Sequence, residues 1–168
     1  MAQQTISLSG VDAKIKRHLS IIGKRLYTKD GKNMFSNITV SSAEQPQSGG
    51  IFDHYVAAAA QNIAGALAQF VTSYSDTSIE VSGIRWNAQV ASAVQNAAKS
   101  YALFFSVGEF LAMTHPELAE KYYRDAQIMM NTIVSSAYHK DPPTATADPT
   151  SVLSQGDDDS STSVDDEA

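Results

Sequence analysis

Residues 87–138 read NAQVASAVQNAAKSYALFFSVGEFLAMTHPELAEKYYRDAQIMMNTIVSSAY, and this stretch decides the fold class. Val90, Val94, Ala98, Tyr101, Phe105 and Gly108 recur at steps of three and four, which predicts one face of a helix over about Asn87 to Met113. Leu103, Phe104, Val107 and Leu111 widen that face into an apolar belt, and Lys99 and Glu109 are its charges. Thr114-His115-Pro116-Glu117 then interrupts the pattern. Thr114 suits an N-cap, Glu117 completes a capping box, and Pro116 is tolerated in a first turn, where its missing N–H has no partner to lose. A further stripe, Leu118, Tyr122, Ala126, Met129, Ile133 and Ala137, predicts a helix from Pro116 to Tyr138. Its outer face carries Glu117–Lys121 and Glu120–Arg124, two i,i+4 pairs in the favourable order, each worth about 0.2–0.5 kcal/mol.

Upstream, Val11, Ile15, Leu19, Ile22 and Leu26 predict a helix over about Val11 to Thr28, with Ser9 as N-cap and Asp12 in the first turn. Ile51, Tyr55, Ile63, Leu67, Phe70, Val71 and Tyr74 suggest another over Ile51 to Tyr74. That segment is rich in alanine, and Asp53 and His54 are its charge-bearing side chains. Such a helix belongs at the centre of a domain or between subunits. Ile79 to Trp86 alternates apolar and polar residues with a slip at Gly83, which reads as a short strand with a bulge. Met34 to Val40 is a second candidate extended piece, and Ser41 to Gly50 a loop. The expected architecture is mostly α: a four-helix bundle with a small extended or β insert and an acidic C-terminal tail.

Composition bounds the chemistry. The chain has 168 residues and no cysteine, which removes disulfides, thiolate metal sites and thiol nucleophiles. No run of about 18 apolar residues occurs, so no membrane span is expected, and Met1 to Gly10 lacks the pattern of a secretory signal. The net charge of −6 hides a split. Residues 1–140, read as one helical domain, carry +2; residues 141–168 carry −8 with no basic residue. That tail, rich in Pro, Ser, Thr and Asp, lacks the apolar area needed to offset chain ordering. It reads as a solubilising segment or as an arm that orders on a neighbour.

The basic charge is local as well. Lys14, Lys16, Arg17, Lys24, Arg25, Lys29 and Lys32 fall within 19 residues, opposed there by Asp30. Lys14, Lys16, Arg17, Lys24 and Arg25 are the candidate contacts for channel DNA or for a partner. A solvated face and the acidic tail of a neighbour are the alternatives. No phosphate-binding loop, dinucleotide fingerprint, zinc-protease motif, nucleophile elbow or calcium loop is present. His18, His54, His115 and His139 lie in four separate segments without metal-ligand spacing, and surface or capping roles are expected for them. No catalytic residue, metal or cofactor is assigned. Trp86, Tyr101, Phe105 and Tyr122 are candidate core or interface anchors.

The segments Ala97–Val107, His115-Pro116-Glu117-Leu118-Ala119-Glu120-Lys121-Tyr122 and Tyr138-His139-Lys140-Asp141-Pro142-Pro143 carry a resemblance. Together with the Ile79 to Trp86 ribbon, residues 79–143 resemble the paired C-terminal helices of head–tail connector (adaptor) ring proteins of tailed bacteriophages. Predicted connectors of phages infecting Bacteroides-like hosts, crAss-like phages among them, show the same order. The resemblance implies a non-enzymatic virion protein of the neck, assembled in the host cytoplasm into a ring of about twelve copies. Its partners would be the portal protein and the tail or neighbouring ring proteins, with non-specific DNA in the channel and no membrane. The alternative expectation is a small soluble helical adaptor or regulator that binds a partner through its acidic tail.

Overall fold

Among the described residues, three short strands and four helices follow in the order β1 (Gln3–Ser7), α1 (Val11–Arg25), α2 (Asp53–Ala66), β2 (Val71–Tyr74), β3 (Ser78–Ser82), α3 (Ala91–Ala112) and α4 (Pro116–Ala137). This is the arrangement in a computed structural model, which describes residues 3–26, 35, 50–83, 86 and 90–138. The mostly helical class is as expected. The candidate extended piece at Met34–Val40 (Phe35 apart), His139, Lys140 and the acidic tail lie outside the described residues.

The two long C-terminal helices pack along their length, and α3 is the hub on which α1, α2, α4 and β1 converge. Its small residues allow this. Ala97, Ala98, Ala102, Ser106 and Gly108 are buried, so neighbours approach on several sides. Gly108 marks a close approach of α3 and α4: a Cβ there would stand 3.1 Å from the Tyr123 ring on α4. Helix α4 buries Ala119, Tyr122, Ala126, Ile133 and Ala137; of the expected stripe, Leu118 and Met129 lie at the margin, and Ala119 takes the buried place beside Leu118.

The sheet is antiparallel in the order β1-β3-β2. Ile6, Ile79 and Val81 point into the core, while Glu80 on the outer face accepts hydrogen bonds from Gln3 Nε2 (3.3 Å) and Ser73 Oγ (2.7 Å). One carboxylate thus spans all three strands.

Five sequence expectations need correction. The predicted helix over Ile51–Tyr74 stops at Ala66, and its last third turns into the β2–β3 hairpin. Val71 and Tyr74, β-branched and aromatic, pair with Val81 and Ile79 of β3, a ladder that outweighs continued helix. The bulge sits not at Gly83 but on β2, between Val71 and Ser73, because Gly83 already lies beyond the end of β3. Gly10, not Ser9, occupies the N-cap of α1, at φ 76°, a left-handed conformation that suits glycine. Ser9 instead accepts a hydrogen bond from the Ser7 hydroxyl at 2.8 Å. No side chain caps α4. Thr114 still belongs to the end of α3, its N–H donating to Leu111 O at 3.0 Å. His115 takes the cap position, and its carbonyl receives the Leu118 and Ala119 N–H groups. Helix α1 ends at Arg25, a turn earlier than expected.

Candidate interaction surfaces

The outer side of α1 is cationic. Val11, Ile15, Leu19 and Ile22 are buried against the body, so the positions between them face out. Lys14, Lys16, Arg17 and Lys24 are exposed there, as the periodicity requires; Arg25 closes the helix, and its side chain is outside the described set. Lys14, Arg17, Ile21 and Lys24 follow i, i+3, i+7, i+10 spacing and form one strip. Ile21 is 46% exposed in the middle of it.

The inner side of α1 carries His18, which corrects the expected surface or capping role. It is half-buried, its Nε2 lies 3.0 Å from the Tyr122 hydroxyl, and its ring meets Tyr122 and Phe104 edge-on. Burial first, and then the positive charge of Lys121, hold the imidazole below its usual pKa. His18, Tyr122 and Phe104 therefore join α1, α4 and α3 in a neutral polar–aromatic knot. Tyr122, a candidate anchor, is core.

So is Trp86. It is 7% exposed, its indole N–H donates to Gln4 Oε1 at 2.9 Å, and its ring meets Phe70 at 5.5 Å. Phe70 in turn touches Tyr138, 5.1 Å between centroids, so β1, the hairpin and the end of α4 share one aromatic row.

Tyr101 and Phe105 sit differently. They stack at 5.7 Å and 16° on α3, Tyr101 buried and Phe105 half-buried. Asn62 Nδ2 on α2 donates to the Tyr101 hydroxyl at 3.1 Å. Asn62 also lines an open groove of about 540 Å³ bounded by Gln61, Ala64, Gly65, Ala68, Val71 and Tyr74. Helix α2 buries Val56, Ala59, Ala60, Ile63 and Ala64 and turns this uncharged face of small and amide side chains outward. Sequence reasoning recognised α2 as charge-poor but missed the groove, because its far wall is the β2 strand that was read as helix.

Other polar groups serve packing. Glu109 accepts from the Tyr123 hydroxyl at 3.0 Å; burial, followed by that bond and charge, pushes the phenol pKa up to about 12. Burial likewise raises Tyr101, against the lowering effect of its Asn62 bond. Among the described residues no three His, Asp or Glu side chains gather as metal ligands, and no helix is long and apolar enough to cross a membrane. No family model, curated protein or solved structure matches this chain.

Proposed function

We propose that the chain is a non-enzymatic assembly subunit, and specifically a ring-forming connector between the portal and the tail of a tailed phage. The observation that carries the assembly part is the uncharged outer face of α2 with its groove. Interface cores are depleted in charge, and a surface of alanine, glycine and amide side chains admits a neighbouring helix at close range. An edge elsewhere on the same subunit filling this groove is a heterologous contact, the kind that closes rings. The placement in a phage neck rests on the resemblance over residues 79–143, which embraces α3 and α4.

Gly65→Glu tests the assembly. A Cβ at Gly65 meets nothing within 4 Å, so the substitution leaves the subunit fold intact while placing a charge in the groove. The expected result is a ring for the native chain and a monomer for the variant, with equal helix content by circular dichroism. Equal masses for the two would overturn the groove as the contact.

The second reading, a small adaptor whose acidic tail is the contact, is favoured by the concentration of −8 in residues 141–168. It predicts a monomer for native and variant alike.

A further inference from the structure

The cationic strip on α1 has no acidic neighbour on its own helix beyond Asp12: residues 13–25 contain five basic side chains and no carboxylate. It also exposes an aliphatic side chain, Ile21, between Arg17 one turn before and Lys24 one turn after. The last part of the chain has the complementary pattern. Asp157-Asp158-Asp159 precedes, and Asp165-Asp166-Glu167 follows, a single aliphatic residue, Val164. From these two patterns we infer that the acidic end of the chain folds back and covers the α1 strip of the same molecule, with Val164 against Ile21 and the carboxylates against Lys14, Arg17 and Lys24.

Reach permits it. The His18–Tyr122 contact fixes α1 beside the early part of α4, and the chain leaves α4 at Tyr138, held there by its hydroxyl on Ala66 O at 3.3 Å. Sixteen helical positions separate Tyr122 from Tyr138, about 24 Å at 1.5 Å each. Val164 lies 26 residues beyond Tyr138, and a coil of that length has a root-mean-square span of roughly 25–30 Å. The tether therefore matches the gap and gives the acidic end a high effective concentration at its own α1.

The contact would make the tail a competitor of phosphate. With the strip covered, nucleic acid meets a masked surface; with the tail drawn away, the same cations attract phosphate without reading sequence. This contact does not depend on ring assembly.

The test compares the full native chain with a full-length variant in which Asp157, Asp158, Asp159, Asp165 and Asp166 become Asn and Glu167 becomes Gln. Amine-labelling rates are read residue by residue by mass spectrometry. At low salt, Lys14 and Lys24 should label about threefold or more slowly in the native chain, and the difference should vanish near 1 M salt, where the screening length is about 3 Å. A short duplex DNA of arbitrary sequence should bind the neutralised variant about tenfold or more tightly at low salt. Equal labelling in the two chains would overturn the inference. So would protection of an isotope-labelled neutralised chain on mixing with native chain, since that places the tail on a second copy.

Discussion

His18 Nε2 lies 3.0 Å from the hydroxyl of Tyr122, and this polar contact joins α1 to α4 across 104 positions of sequence. Phe104 of α3 stands edge-on to His18 at 6.4 Å, so three helices meet at one imidazole. Because that imidazole is held below its usual pKa of 6.5, the folded chain binds fewer protons there than the unfolded chain. The stabilisation is complete above pH 6.5 and is lost as the pH falls through the lower folded value. Thermal melts between about pH 8 and 5 should show a fall in Tm that is smaller in His18→Gln. An equal fall in both would remove His18 as the cause.

Tyr122→Phe should cost about 1 kcal/mol, since it takes the hydroxyl from His18 and leaves the ring packing in place. Urea unfolding of the two chains gives the difference directly, and a change in midpoint without a change in slope is the expected form.

Ser106 is 0% exposed, and its hydroxyl has no hydrogen-bond partner. Burying an unsatisfied hydroxyl costs roughly 1–3 kcal/mol, and alanine fits the same space. Ser106→Ala should therefore raise stability by about 1 kcal/mol, seen as a higher urea midpoint.

Gly108 is the reverse case. A Cβ there would press on the Tyr123 ring at 3.1 Å, and Tyr122 Cβ stands 3.5 Å away. Alanine asks Tyr123 to give by a few tenths of an ångström. Valine asks for more and should destabilise by about 1–3 kcal/mol through overpacking of the α3–α4 crossing. The same urea titration checks it.

Much of the helical frame was legible because its signals are long and periodic. The 3.6-residue stripes of α1, α3 and α4 survive as buried faces, and Trp86 and Tyr122 are the core anchors their types suggest. The errors cluster where a local rule was outvoted by a distant partner. Val71 and Tyr74 continue the α2 spacing on paper, yet β3 offers them a ladder that no window of sequence reveals. β1 was not read as a strand, since only Ile6 of Gln3–Ser7 is buried; pairing to β3, 77 residues away, makes it one. Gln95, on α3, completes that strand by bonding both the N–H and the carbonyl of Ser7, another distant provision. His18 looked like one of several scattered histidines, and its role needs Tyr122, a partner five elements later. Of the candidate surfaces, the α1 strip followed from periodicity and charge alone. The α2 groove did not, because Val71 and Tyr74, which close one side of it, belong to the misread strand.

The most direct test of the assembly claim is the solution mass of the full 18.0 kDa chain over a wide range of concentrations. The proposal predicts one closed species of about a dozen copies that persists on dilution and is lost in Gly65→Glu. A monomer at every concentration, for native chain and variant alike, would contradict it.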